Sequence, residues 1–213
     1  MAEWNNKYMH HAMNIYNKHY FERYARLTLY SVFPEWKPHF SIIDRPDLQN
    51  ELDDVGIEVT SSTPSHIREV ASYGAKLLGE KITIENEEKF RGKLFLDSER
   101  VAYGYSPTKG LVDADKSPEI IAAISHKCDI WNGYKEFHLR GIYVFTGTSL
   151  IDDEMLKNIV KSEASSFFNL VIINAIDTLY YFLKGSWTRI EFSDEELADF
   201  KKKALLVEYS CEE

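Results

Sequence analysis

Cysteine is nearly missing from this chain of 213 residues: Cys128 and Cys211 lie far apart, and no CxxC pair occurs. That pattern argues against a structural zinc site and against a disulfide framework, and leaves two ordinary thiols. Long apolar runs are missing as well. None reaches the roughly 18 residues that a membrane span needs, and the opening MAEWNNKYMHHAM lacks the charged-then-apolar order of a secretory signal. The expectation is a cytoplasmic protein without a membrane partner. There is no Walker loop, no GxGxxG and no GxSxG elbow, so nucleoside triphosphates, dinucleotides and a serine nucleophile of that type are not implied. Positive charge is in deficit, with 25 Lys and Arg against 34 Asp and Glu and a net charge of −9. Such a balance argues against a protein that coats nucleic acid, although a metal ion in an acidic site supplies local positive charge to an enzyme that cuts it. Lys89, Arg91 and Lys93 offer at most a weak basic patch, for which a solvated face is the plainer reading.

What is present suits one substantial core: 44% of residues are hydrophobic and 14% aromatic. The expectation is a single domain over residues 1–213, with a possible insertion at 82–116. Trp4, Tyr8, Ala12, Tyr16, Tyr20 and Tyr24 recur every four residues, the stripe of a long amphipathic helix that ends before Pro34. Phe40 to Asp44 reads as a strand, and Leu48 to Leu52 and Val55 to Thr60 read as a hairpin around Asp53-Asp54. Thr63-Pro64 opens a helix that stops near Gly79. Short β-prone pieces follow at Ile82 to Ile84, Lys93 to Leu96 and Val101 to Tyr105. Ser117-Pro118 opens a helix ending near Asn132-Gly133, and the apolar run Gly141 to Thr146 reads as a strand buried on both faces. Asp152 caps a helix to about Glu163. Two further strands, Leu170 to Ala175 and Leu179 to Leu183, precede a last helix opened by the capping box Ser193 and Glu196 and running to about Tyr209. Helices and strands interleave throughout, which is an α/β class with a mixed sheet flanked by helices.

The chemistry centres on Asp47 and Glu58, near the ends of adjacent strands. Two acids close in space repel, and a shared cation relieves the repulsion. A hard ion such as Mg²⁺ (or Mn²⁺) takes oxygen ligands, activates water and neutralises charge growing on a phosphate. Strict alternation puts Glu58 on one face with Gly56 and Thr60, opposite Ile57 and Val59, and a solvent-exposed strand face has the same pattern. Two readings of Glu22 also stand: a surface carboxylate, or one looking into a site between helix and sheet. His10, His11 and His19 form no HxxxH or HExxH pattern and read as helix-surface histidines. Tyr103, Tyr105, Trp131 and Tyr134 can stack on bases, with packing the commoner fate of such rings.

An N-terminal helix bearing a glutamate, Pro46-Asp47 at a turn, the strand Gly56-Ile57-Glu58-Val59-Thr60, a following helix and a buried strand together resemble the restriction-endonuclease-like superfamily, whose signature is PD followed by (D/E)xK. The stretch from Ile124 through Asn132-Gly133-Tyr134 to Phe145 resembles a helix, turn and strand of some uncharacterised members. The resemblance covers about residues 15 to 147. It implies a core of helix, three strands, helix and strand, with metal-dependent cleavage of DNA phosphodiesters. Carried across, Asp47 and Glu58 become metal ligands with the Val59 carbonyl as a third, and Glu22 matches the first-helix glutamate of some members. Thr60 departs from the pattern, because the family has a lysine there that positions the attacking water and stabilises charge at phosphorus. Either Lys127 or Lys76 reaches the same place from a neighbouring helix, or the site is silent and the protein binds nucleic acid, a protein partner or a second copy of itself. Both lysines also read as ordinary surface residues.

Overall fold

A computed structural model of the chain describes residues 18–63, 77, 80–85, 87, 94–105, 115–131, 133–146 and 151–205. The chain divides into two compact units, one of Met1–Ser62 with Lys116–Glu213 and one of Thr63–Asp115. The larger unit is α/β. Its described residues open with helix α1, Lys18–Val32, which stops before Pro34 as the proline requires, and a short 3-10 turn, Pro34–Trp36, follows. Three strands come next: β1 Ser41–Ile42, β2 Leu48–Asn50 and β3 Val55–Ser61. β1 is shorter than its sequence suggests because Asp44 to Asp47 bend away, with Arg45 in the left-handed region ahead of Pro46, which has no N–H to give a ladder. The β2–β3 turn closes at Asp53-Asp54, where the Asp53 backbone N–H donates to Asn50 Oδ1 at 3.2 Å and Asp54 takes a φ of 54°. Helix α2, Ser117–Ile130, then leads into β6, Leu139–Phe145.

β7 (Leu170–Ala175), β8 (Thr178–Leu183) and β9 (Ser186–Glu191) complete a seven-stranded sheet in the order β1-β2-β3-β6-β7-β8-β9. β3, β6 and β7 run parallel, while β1 to β3 and β7 to β9 pair antiparallel, so the sheet is mixed. β9 has no counterpart in the sequence reading. It is announced only by Lys184-Gly185, a two-residue loop with positive φ at both positions, the geometry of a tight hairpin. The helix capped by Asp152 is α3, Asp153–Lys161, and it breaks at Ser162 into a short helix α4, Glu163–Ser166, rather than continuing. The last helix, α5, Asp194–Leu205, opens with the expected reciprocal cap: Ser193 N–H donates to Glu196 Oε2 at 2.8 Å and Glu196 N–H to Ser193 Oγ at 3.3 Å.

Period-two alternation sorts the sheet's side chains into two cores. Ile57, Tyr143, Leu170, Ile172 and Leu179 pack with Tyr24, Leu29 and Phe200 of α1 and α5. Ile142, Val144, Val171 and Ile173 pack with Ile120, Ile124, Leu156 and Ile159 of α2 and α3. A polar tie crosses the first core, in which the buried Tyr143 hydroxyl meets Thr28 Oγ1 at 2.9 Å and accepts from Asn174 Nδ2 at 2.6 Å.

In the smaller unit, β4 (Leu94–Leu96) and β5 (Ala102–Tyr105) form an antiparallel hairpin, with Asp97 Oδ1 accepting from the Glu99 and Val101 N–H groups in the turn. Ile82 to Ile84 is not a strand. Lys81 makes a single bridge to Val101, and the Glu87 N–H donates to the Thr83 carbonyl at 3.0 Å, a helical spacing. The helix expected from Thr63-Pro64, the first seventeen residues, Lys76 and the Lys89–Arg91–Lys93 patch lie outside the described residues. Among the described residues no helix is long and apolar enough to cross a membrane.

Candidate active site

β2 and β3 pair with Leu48 across from Ile57, so one step further along the same register sets Asp47 across from Glu58. Residues directly opposite in an antiparallel pair share a face, with Cβ atoms roughly 4.5–5.5 Å apart. The face is decided by the other neighbour. Glu58 pairs in parallel with Ile142, which belongs to the core under α2, so the Glu58 side chain points into the α2 layer. It is therefore not on a solvent face: Glu58 is 2% exposed and Asp47 5%.

Three further features define the site. The Val59 backbone N–H donates to Asp47 Oδ2 at 2.9 Å, so the side chain of Asp47 continues the ladder where β2 has ended. In a strand the N–H and C=O of one residue leave on the same edge, so the Val59 carbonyl faces that edge too. Lys127, in the last turn of α2 where a helix favours a cation, places Nζ on Glu58 Oε1. Glu58 Oε2 is buried and has no hydrogen-bond partner among the described residues. Burial pushes the Glu58 carboxyl above its ordinary range and the Asp47 carboxylate adds to the push, while the Lys127 ammonium and the Asp47 backbone amide act against it.

Packing holds the pair in register. A Cβ on Gly56 would clash with Phe137 Cδ2 and lie 2.9 Å from Pro46 Cγ, so both rings rest directly on the glycine. Glycine inside a strand commonly marks such a close approach. Phe137 thereby fixes the segment between α2 and β6 over the face that carries Glu58. Tyr134, in that segment, is half-buried against Trp131 with ring centroids 5.1 Å apart. Its hydroxyl is pushed above its ordinary range by burial first and then by Glu58 and Asp47, with Arg45 opposing.

No family model matches the chain, and no curated protein and no solved structure matches it. Any functional reading therefore rests on the residues themselves.

The structure brings together Asp47, Glu58, the Val59 backbone and Lys127. It does not bring Glu22 to them. Glu22 is buried, as one of the two readings required, but it sits on α1, in the layer covering the other face, where it hydrogen bonds His19 Nδ1 at 2.9 Å. Thr60 is half-buried, two residues beyond Glu58 on the same face. Lys127 is 19% exposed at its side chain and ion-paired, so it is not a plain surface lysine. Trp131 is a core residue, 5% exposed. The rings of Tyr103 and Tyr105 lie outside the described residues. Phe137 and Pro46 as the packing that aligns the pair went unread in the sequence, where the glycine preceding Ile57-Glu58 is their one signal.

The donor set fits a hard divalent ion. Among the described residues no three His, Cys, Asp or Glu side chains gather into a cluster, so the pocket offers two carboxylates and a backbone carbonyl. Mg²⁺ is commonly held by one or two carboxylates with water completing the shell. The partnerless oxygen of Glu58 is the atom a cation would satisfy.

Proposed function

We propose that this protein is a metal-dependent nuclease of the PD-(D/E)xK type, hydrolysing DNA phosphodiesters, in which the motif lysine is supplied by helix α2 as Lys127 rather than by the strand position held by Thr60. The observation that carries the reading is the ion pair of Lys127 with Glu58 beside Asp47, in a buried setting. The order of elements supports it: helix, three antiparallel strands, helix, and a strand parallel to the third.

Asp47, Glu58 and the Val59 carbonyl would hold Mg²⁺ or Mn²⁺. When bound, the ion acidifies a water and offsets the charge that builds on the attacked phosphate. The Val59 N–H fixes the orientation of the Asp47 carboxylate. Lys127 orients the attacking water and faces the developing phosphorane charge, the work of an ammonium that Thr60 cannot do. The water oxygen forms the new bond to phosphorus, the bond to the leaving sugar oxygen breaks, and no covalent enzyme intermediate forms. Glu22 takes no part.

The test is cleavage of supercoiled plasmid and of single-stranded DNA with Mg²⁺, Mn²⁺ or EDTA. Wild type should cut with either metal and not in EDTA. Asp47→Asn and Glu58→Gln should each lose roughly a hundredfold or more, equivalent to about 3 kcal/mol of transition-state stabilisation. No cleavage by wild type with either metal, or undiminished cleavage by both variants, rejects the reading.

A further inference from the structure

The two oxygens of Glu58 have different fates. Oε1 is taken by Lys127 Nζ, and Oε2 is buried without a hydrogen-bond partner among the described residues. The side chains are 19% and 3% exposed, so little water screens the pair. The helix that carries Lys127 is held on the sheet by Ile120 and Ile124, both fully buried.

An ammonium on Oε1 has two consequences for a cation. Oε1, with a lone pair already engaged, becomes the poorer donor of the two Glu58 oxygens, and the cation must accept a positive neighbour. Ions differ in how much they lose by this. Mg²⁺ keeps several waters and needs few protein oxygens, whereas Ca²⁺ takes six to eight oxygens and commonly uses a carboxylate through both of its oxygens. We propose that Lys127 is the ion-selecting residue of this site: by engaging Glu58 Oε1 it disfavours coordination through both Glu58 oxygens and biases the site toward Mg²⁺ and Mn²⁺ and against Ca²⁺. The inference rests on the metal-dependent reading above and adds the choice of ion.

The experiment is calorimetric titration of the full chain with Mg²⁺, Mn²⁺ and Ca²⁺, without DNA, at about pH 8, where carboxylates are ionised. Lys127→Met frees the second oxygen and should tighten Ca²⁺ relative to Mg²⁺ by about tenfold or more. Lys127→Arg carries a fork that spans both carboxylate oxygens and should weaken all three ions by a similar factor. Circular dichroism melting shows which variants fold, and if Lys127→Met does not, Lys127→Arg decides alone. A Ca²⁺-to-Mg²⁺ ratio unchanged in Lys127→Met, or Mg²⁺ binding of wild-type strength in Lys127→Arg, overturns the selection role while leaving the nuclease reading intact. Absence of any wild-type binding that Glu58→Gln removes overturns both.

Discussion

At the residue scale, Glu58 is the costly group. Its carboxyl holds a proton above the ordinary value of 4.5, because burial disfavours the charge and Asp47 repels it. The unfolded chain gives up that proton at the ordinary value, so between the two values the folded state binds more protons. Stability then falls as pH rises through the window, and the penalty is absent below it. Glu196 acts in the other direction, since its cap with Ser193 lowers its carboxyl, so the effect must be read as a difference between variants. In EDTA, the melting temperature of wild type minus that of Glu58→Gln should become more negative from about pH 4.5 to neutrality. Added Mn²⁺ should reverse the trend in wild type and leave Glu58→Gln unmoved. A difference that stays flat with pH and is indifferent to metal would mean that Glu58 is not the strained carboxyl described here.

At the element scale, the site depends on the fit between β3 and what crosses it. Gly56→Ala would drive a methyl into Phe137 and Pro46, and Pro46 is the residue before Asp47. Overpacking of this kind costs about 1–3 kcal/mol, a fall of roughly 2–4 °C in melting temperature for each kcal/mol in a chain of this size. Metal affinity should fall with it, because moving Pro46 moves Asp47. Wild-type melting and wild-type Mn²⁺ binding in Gly56→Ala would show that the contact does not align the pair. The strands themselves were largely legible. The unbroken apolar run in β6 follows from burial on both faces, whereas alternation in Val55 to Thr60 shows only which residues share a face, since both faces of β3 are covered around Glu58. β9 was not, because an edge strand pairs on one side only and carries Ser186, Thr188, Arg189 and Glu191 among its side chains. The alternation also placed Glu58 with Gly56 and Thr60 but not whether that face met solvent. The answer lay in Ile142, eighty-odd residues on, which no local pattern reaches.

At the scale of the whole molecule, the order of elements was readable, and the lysine that meets Glu58 was narrowed to Lys127 or Lys76 without a choice between them. Lys127 belongs to Glu58 only once α2 has docked, and in the sequence it is one of several lysines on helical faces. The proposed nuclease function also sets, at this scale, how an acidic chain would meet DNA. With a net charge of −9, and a site whose two carboxylates outweigh one ammonium, the bare protein should repel phosphates. A divalent ion reverses the sign of the site, from one negative charge to one positive. DNA affinity should therefore depend on metal: rapid-mixing anisotropy with a labelled duplex, read before cleavage, should show binding in Mg²⁺ at least about tenfold tighter than in EDTA. Few phosphates are neutralised in such a contact, so affinity should change little with added monovalent salt compared with a protein that coats DNA. Tight binding in EDTA that collapses steeply with salt would instead locate the contact on a basic surface away from Asp47 and Glu58, and the acidic pair would no longer be what brings DNA to the protein.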